Sequence, residues 1–416
     1  MSCKNNRSNN DMLPSSLVPR ELGLYIHIPF CVKKCAYCDF CSFPVSNVME
    51  RYVEKLCAQL RAAAQVARDC TVVTAYIGGG TPSLLDEDMI RSVMNAVKDN
   101  YCVLPDAEIT VECNPGTVDR KKLVAMKESG INRLSIGAQS LVNAELKVLG
   151  RIHSAEEFLS TVALAKEVGF DNISGDLMYG IPDQTMQSFC TSAEKMCKIG
   201  LSHISLYALS IEEGTAFYKN KDQLVLPSEE TVADMYEMAE NILSKHGYEK
   251  YEISNFSLPC RESRHNSGYW TGREYLGFGI AAHSYFEGVR FFSTYSLDKY
   301  LSAEIYDVCS LGEFDNDKEG LLSWSIYDDA QKIDDHDKAS EYIMLGLRLC
   351  KGISLEDFFA RFSVDFFDFI DISREQVEEY ITHGFMKLVD GRLSFTTKGF
   401  YVSSAILSEM IGFDEA

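Results

Sequence analysis

Short β-rich runs alternate with longer helical patterns along most of this chain, and this alternation limits its fold more than any other feature. Strands that alternate with helices are typical of βαβ units, in which the strands form a parallel sheet. Because six units are fewer than the eight that close a barrel, we expect an open, partial (β/α)6 barrel of the TIM type, with its site at the carboxyl ends of the strands. The predicted strands are 22–28, 71–77, 108–113, 133–139, 172–180 and 203–209, and the predicted helices include 48–68, 86–99, 119–129, 155–168 and 229–246.

Length and composition favour one large domain followed by a smaller one. The chain has 416 residues, 46% of them hydrophobic, whereas single cores usually stop growing at ~250 to 300 residues. Residues 1–20 are rich in Asn, Ser and charge without periodicity, so we expect a flexible leader there. The acidic stretch 313–337 predicts a linker between a barrel domain, 21–312, and a C-terminal domain, 338–416. Helical segments followed by a short hairpin around Gly391 predict a winged-helix-like fold for that second domain.

The charge balance argues against a nucleic acid as the main substrate. Sixty-one acidic and forty basic residues give a net charge of -21, and no concentrated Lys/Arg run offsets it. The apolar stretches are far shorter than the ~20 residues of a membrane helix, and the N-terminus lacks the apolar core of a signal peptide. We therefore expect a cytoplasmic protein. Most of the 14 cysteines, such as Cys57 and Cys197, stand singly in apolar patterns and are expected to be reduced core residues.

Three cysteines, Cys31, Cys35 and Cys38, stand close together directly after the first predicted strand. Thiolates prefer soft metals, and three on one loop can hold a [4Fe-4S] cube whose fourth iron keeps no protein ligand. Zinc, a redox Cys-x2-Cys pair and coincidence are the alternatives. Zinc usually requires two paired knuckles, and no second knuckle follows. Cys41 is either a fourth ligand or a bystander, and we favour the bystander because the three-cysteine motif is complete without it.

Polar residues recur at the carboxyl ends of the later predicted strands. A glycine run lets a ligand approach the backbone closely, although most such runs are turns. Acidic and amide side chains in apolar strands are costly to bury without a partner, so a shared polar ligand explains them together. Structural hydrogen bonds remain the alternative for any one of them. The residues concerned are Gly79, Gly80, Thr81, Glu112, Gln139 and Asp176.

The Cys-x3-Cys-x2-Cys spacing resembles that of the radical S-adenosylmethionine (SAM) superfamily. The wider motif from Tyr25 to Phe40 resembles the oxygen-independent coproporphyrinogen III oxidases and their relatives, and the resemblance extends from about Leu22 to the C-terminus. It implies a [4Fe-4S] cluster on Cys31, Cys35 and Cys38 that binds SAM, and an electron donor such as flavodoxin or ferredoxin. By the same resemblance, Arg151 pairs with the SAM carboxylate. The residues that it assigns to SAM are Tyr25, Tyr37, Gly79, Gly80, Thr81, Glu112, Gln139, Arg151, Asp176 and Ala208.

The segment His265-Asn-Ser-Gly-Tyr-Trp270 separates the branches of this family. Its chemistry suits either a heme ligand with stacking aromatic rings or a hydrogen-bonded histidine beside core aromatics, and the second reading is the simpler one. The segment resembles the mark of the heme-chaperone branch, and so do Phe40, where the oxidases have a further cysteine, and the short leader before Tyr25. The resemblance thus implies heme bound through His265, its delivery to membrane respiratory enzymes, and a homodimer. The alternative is an oxygen-independent coproporphyrinogen III oxidase, which would use the same cysteines.

Overall fold

A computed structural model of the chain describes residues 19–45, 47–312 and 320–412. The strands are β1 (Arg20–Ile28), β2 (Phe30–Cys31), β3 (Phe43–Pro44), β4 (Cys70–Gly79), β5 (Val103–Cys113), β6 (Arg133–Gln139), β7 (Asn172–Tyr179), β8 (His203–Ala208), β9 (Glu249–Lys250), β10 (Asn255–Ser257), β11 (Tyr275–Phe278), β12 (His283–Phe286), β13 (Val289–Ser293), β14 (Tyr327–Lys332), β15 (Ile353–Ser354), β16 (Met386–Val389) and β17 (Arg392–Phe395). The helices are α1 (Met49–Ala63), α2 (Glu87–Lys98), α3 (Arg120–Glu128), α4 (Asn143–Val148), α5 (Ala155–Val168), α6 (Met186–Lys198), α7 (Ala216–Lys219), α8 (Glu229–Lys245), α9 (Arg264–Trp270), α10 (Leu297–Ser302), α11 (Asp335–Gly346), α12 (Leu355–Phe362), α13 (Phe366–Phe369), α14 (Arg374–Thr382), α15 (Thr397–Tyr401) and α16 (Ser403–Ile411).

One large mixed sheet organises the first three quarters of the described chain, in the order β14-β13-β12-β11-β1-β4-β5-β6-β7-β8-β10-β9. All neighbours from β11 to β8 are parallel. The strands β1 and β4 to β8 are the six that the sequence predicts. They are almost wholly buried, as β6 illustrates, because the intervening helices cover the sheet. The predicted α/β class with a partial parallel barrel is confirmed.

Local capping signals explain why the helices begin and end where the sequence predicts. Helix α5 follows Ser154, which forms a capping box with Glu157, and it ends at Gly169 with a φ of 96°. Asp86 and Asp119 each accept a hydrogen bond from a first-turn backbone N–H of α2 and α3. The observed bounds of α5 are the predicted ones, 155–168. These caps set the lengths of the βα connections and therefore place the strand ends at one edge of the sheet.

Strands that the sequence analysis did not predict extend the sheet beyond the six. Strand β11 lies parallel to β1, and β12 to β14 continue antiparallel from it. Residues 327–332 therefore belong to the sheet, although the linker was expected at 313–337; residues 313–319 lie outside the described residues, as do residues 1–18 of the expected leader. Strand β14 is an edge strand with mostly exposed residues, and its acidic composition is typical of edges as well as of loops.

The C-terminal domain combines helices with the three-stranded sheet β15-β17-β16. Its core contains Phe358, whose ring lies 5.0 Å from that of Phe362 and 5.6 Å from that of Phe366. Backbone hydrogen bonds join this domain to the barrel: the N–H of Cys350 donates to the carbonyl of Tyr251 at 3.0 Å. The predicted hairpin is present as β16 and β17. Helix α11 contacts α9, which places the domain beside the segment that carries His265.

Two expectations from composition concern cysteines and membrane segments. Every cysteine within the described ranges is free of disulfide bonds, and Cys57 and Cys197 are buried as predicted. None of the helices in those ranges combines the length and the apolar character that crossing a bilayer requires.

Candidate functional site

A cavity of about 500 Å³ lies at the carboxyl ends of the parallel strands. Its volume falls within the range of ~300 to 1,000 Å³ that is usual for small-molecule sites. The structure brings every candidate residue from the sequence to the lining of this one cavity. These residues are Tyr25, Cys31, Cys35, Tyr37, Cys38, Gly79, Gly80, Thr81, Glu112, Gln139, Arg151, Asp176, Ala208 and His265.

The three candidate metal ligands lie half-buried on the loop that follows β1. The Thr81 hydroxyl donates to the Cys31 sulfur at 3.5 Å, and Nη1 of Arg151 donates to the Cys35 sulfur at 3.6 Å. Donors of this kind stabilise negative charge on sulfur. Burial raises the pKa of the Cys38 thiol to about 11, so a metal must displace a proton from it.

The donor set fits an iron–sulfur cube better than a single ion. Within the described ranges, no three His, Cys, Asp or Glu side chains are arranged around one ion position. A cube does not require such a group, because each thiolate binds a different iron. Beside the thiols, the buried Nε of Arg151 has no hydrogen-bond partner. An orphaned guanidinium donor next to three thiols fits the carboxylate of a ligand that also binds the cluster.

Asn114 joins two of the cysteine sulfurs through a chain of hydrogen bonds. Its Nδ2 donates to Thr81 Oγ1 at 2.9 Å, and its Oδ1 accepts from Arg151 Nη2 at 2.8 Å. Since Thr81 contacts Cys31 and Arg151 contacts Cys35, the chain runs from one thiol to another. The sequence analysis missed Asn114. Its signal was available, because it directly follows the third predicted strand, where polar side chains are informative.

Close packing against β1 and β2 explains the glycine run independently of any ligand. A Cβ on Gly80 would lie 2.8 Å from the carbonyl oxygen of Phe30, and one on Gly79 would lie 2.3 Å from the ring of His27. Gly79 also has a φ of 109°, which side chains rarely adopt. Its N–H donates to Glu112 Oε2 at 3.0 Å. The turn is thus structurally required and at the same time exposes backbone to the cavity.

Two half-buried carboxyl groups face the cavity from β5 and β7, the strands on either side of β6. Glu112 accepts hydrogen bonds from the Tyr76 hydroxyl at 2.8 Å and from Gly79, and burial raises its pKa to about 7. Burial likewise raises the pKa of Asp176 to about 6, although hydrogen bonds from Ser205 and Ser135 oppose the shift. Both groups therefore change protonation near neutral pH. Groups of this kind can accept hydrogen bonds from an ammonium or a sugar hydroxyl.

Tyr25 and Cys41 are connected through His27, which ties the end of the cysteine loop to β1. The Tyr25 hydroxyl and His27 Nδ1 are 2.9 Å apart, and His27 Nε2 lies 3.0 Å from the carbonyl oxygen of Cys41. This contact uses the backbone of Cys41 and leaves its thiol outside the connection. Burial lowers the pKa of His27, so the ring remains neutral and donates to the carbonyl.

The remaining candidates, Gln139, Tyr37 and Ala208, also line the cavity. Gln139 ends β6 with a φ of 64°, a left-handed conformation that costs about 1 to 2 kcal/mol for a residue with a side chain. Strain of this kind clusters at functional sites. Burial raises the pKa of Tyr37 above its usual value, so its hydroxyl keeps its proton.

His265 lies on the cavity lining, but both of its ring nitrogens already have partners. Nδ1 is 2.9 Å from Thr74 Oγ1, and Nε2 is 2.9 Å from the Tyr269 hydroxyl. The carboxylate of Glu108 holds the start of α9 by accepting from the backbone N–H groups of Arg264 and His265. Burial lowers the pKa of His265 to about 3, so the ring is neutral. A role as an iron ligand therefore requires one nitrogen to exchange its present partner.

A partial parallel barrel with three loop cysteines after its first strand, facing polar strand ends across a cavity, defines the class of radical SAM proteins. In agreement, the model of the Radical SAM superfamily matches residues 25–196, and that of the HemN C-terminal domain matches residues 333–402. The solved coproporphyrinogen III oxidase HemN from Escherichia coli superposes with a TM-score of 0.78 over 93% of this chain and 89% of that one. At 21% identity this likeness concerns the fold.

Curated relatives define the family within that class. The chain is 33% identical over 398 residues to the heme chaperone HemW of Lactococcus lactis, covering 95% of this chain and 98% of that protein. It is 34% identical over 340 residues to the heme chaperone HemW of Bacillus subtilis, covering 80% of this chain and 85% of that protein. The chain therefore belongs to the HemW family of the radical SAM superfamily. Membership in this superfamily implies a [4Fe-4S] cluster and SAM as cofactors.

Proposed function

We propose that this protein is a heme chaperone, which binds heme and delivers it to an acceptor. The observation that carries the proposal is the match to HemW of Lactococcus lactis over 98% of that protein's length. Phe40, which lies exposed at the cavity where the oxidases have a cysteine, also supports it. The acceptors would be membrane respiratory enzymes. A flavodoxin or ferredoxin would donate electrons, and the protein would work as a cytoplasmic homodimer.

In this proposal Cys31, Cys35 and Cys38 hold the cluster, which acts as a regulator or trigger for heme transfer. The cluster would supply one electron and an open iron position for SAM. Arg151 would orient the SAM carboxylate through its free Nε. Glu112 and the backbone at Gly79 would hold the amino group, while Gln139 and Asp176 would accept from the ribose hydroxyls. Tyr25, Tyr37, Gly80, Thr81 and Ala208 would complete the enclosure.

The raised pKa of Glu112 predicts pH-dependent SAM binding. Its carboxyl group has a pKa of about 7, and only the ionised form accepts a hydrogen bond from the SAM ammonium at both oxygens. SAM affinity should therefore level off above about pH 8 and fall as the pH is lowered through 7, by up to about tenfold per pH unit well below the pKa. The measurement is a SAM titration of the reduced cluster by electron paramagnetic resonance at pH 6, 7 and 8.

Glu112→Gln is the matched variant for this prediction, because it keeps the shape and removes the ionisation. Its SAM affinity should be weak and should change little between pH 7 and 8, because Asp176, with a pKa of about 6, is then the remaining titrating carboxyl group of the site. A wild-type affinity that stays constant between pH 6 and 8 would contradict the assignment of Glu112 to the amino group.

Heme titration under anaerobic conditions tests the proposed function. The cluster-loaded protein should give a saturable Soret band at one heme per chain. Incubation with SAM, reductant and coproporphyrinogen III should give no protoporphyrinogen IX. Failure to bind heme would refute the chaperone proposal, and formation of protoporphyrinogen IX would establish the oxidase alternative.

Two variants on α9 test His265 as the iron ligand. If Nε2 binds iron, His265→Ala should shift the Soret band and weaken heme binding about tenfold or more, as loss of an axial ligand would. Tyr269→Phe removes the present partner of Nε2 and should preserve or strengthen heme binding. Full heme binding by His265→Ala would exclude this residue as the ligand.

A further inference from the structure

Arg133 is a buried cation on the floor of the cavity that the proposed SAM site does not use. It begins β6, its side chain is 2% exposed, and it belongs to the cavity lining. Its Nε has no hydrogen-bond partner. Arginine stays charged inside proteins, and burying a charge without a partner costs several kcal/mol. The position therefore calls for an anion.

The described surroundings of Arg133 supply no carboxylate in direct contact with it. Thr110, its register neighbour on β5, is fully buried and has an unpartnered hydroxyl. His203 and His265 line the same region, and the charge of Arg133 helps to lower the pKa of both rings, so they are neutral. The charge of Arg133 opposes the rise in the pKa values of Glu112 and Asp176, but neither carboxyl group forms a described hydrogen bond or ion pair with it.

Arg133 and Arg151 are anchored at different levels of the barrel. Nη2 of Arg151 donates to the carbonyl oxygen of Gly137 at 3.0 Å. Arg133 precedes Gly137 by four residues on β6, which corresponds to about 13 Å along the strand. The SAM carboxylate is already assigned to Arg151 in the proposed function. Arg133 is therefore left available for a second anionic group.

We propose that Arg133 forms a second carboxylate subsite in the cavity, which receives a propionate group of heme. The guanidinium fork matches a carboxylate in a bidentate manner, and the unpartnered Nε is one of its donors. The inference rests on the proposed heme binding and adds the way in which the ligand is oriented. The protein would then recognise heme through a propionate group as well as through its iron.

The test compares heme with its dimethyl ester, in which both propionates are blocked and the iron is unchanged. Wild-type protein should bind heme about tenfold or more tightly than the ester, as expected for a charge-assisted hydrogen bond. Arg133→Met should bring the ratio of the two dissociation constants close to one. Arg133→Lys, which keeps the cation without the fork, should give an intermediate ratio.

Arg273→Met is the control, because Arg273 also lowers the pKa of His265 but is ion-paired with Glu21 and lies outside the cavity lining. It should keep the wild-type preference. Equal binding of heme and ester by wild-type protein would overturn the subsite and leave heme binding intact. Retention of the preference by Arg133→Met would also overturn it. If Arg133→Met does not fold, the ratios of the heme and ester dissociation constants for the wild-type protein and for Arg133→Lys decide whether the subsite exists. Absence of binding to both porphyrins would instead refute the proposed function, and this inference with it.

Discussion

Alanine at Cys31, Cys35 and Cys38 together is expected to reduce the iron content from about four atoms per chain to less than about one after anaerobic reconstitution. The reason is that these three thiols are the proposed protein ligands of the cluster. Thr81 and Arg151, from other parts of the chain, donate hydrogen bonds to two of them. Iron analysis and the electron paramagnetic resonance signal of the reduced protein measure the effect. Each single alanine variant should also lose most of the four-iron signal.

Cys41→Ala is the matched control within the same loop. His27 contacts the carbonyl group of Cys41 and not its thiol, so the loop should keep its conformation when the sulfur is removed. The variant should retain about four irons per chain. Loss of the cluster in Cys41→Ala would make Cys41 a ligand, and a four-iron centre that persists in the triple variant would refute the cofactor assignment.

Replacement of Arg151 by methionine is expected to weaken SAM binding about 100-fold while the cluster still assembles. Arg151 is the half-buried cation beside Cys35, and its buried, unpartnered Nε is the donor that the SAM carboxylate would use. Removing one partner of a buried, hydrogen-bonded charge pair costs about 2 to 5 kcal/mol. Titration of the reduced cluster with SAM, followed by electron paramagnetic resonance, measures the affinity, and iron analysis verifies the cluster.

Asn114→Ala should have a smaller effect than Arg151→Met, about fivefold to twentyfold, because it leaves the guanidinium but removes its acceptor. Arg120→Met is the control for a lost arginine, since Arg120 forms an exposed pair with Glu167. It should bind SAM as the wild-type protein does. Unchanged SAM affinity in Arg151→Met would remove Arg151 from the site.

The agreement between predicted and observed positions is greatest for features that local patterns control. The predicted strand 133–139 and helix 155–168 have the observed bounds, because apolar periodicity and the Ser154 cap are readable within one segment. The candidate side chains meet at one cavity because parallel strands direct their carboxyl ends to the same edge.

The sequence analysis missed features whose position relative to the barrel interior follows only from the packed structure. In the sequence, the pattern around Arg133 indicates only the polar start of a strand. Its burial follows from the packing of neighbouring strands around it. Tyr76 stands in an apolar run and reads as core, although its hydroxyl donates to Glu112. The residues of β14 are predicted to be part of a linker, because an edge strand exposes most of its side chains and has a polar sequence like that of a loop.

The sequence by itself determined the alternation of strands and helices, the capped helix ends and the cysteine loop, since each depends on residues near one another in the chain. The tertiary structure decided how these parts combine. It linked Cys31 to Cys35 through Thr81, Asn114 and Arg151, and it engaged both nitrogens of His265 with Thr74 and Tyr269. Thr74 and His265 are separated by 191 positions. Contacts over such distances arise from the packing of whole strands and helices, which no local pattern records.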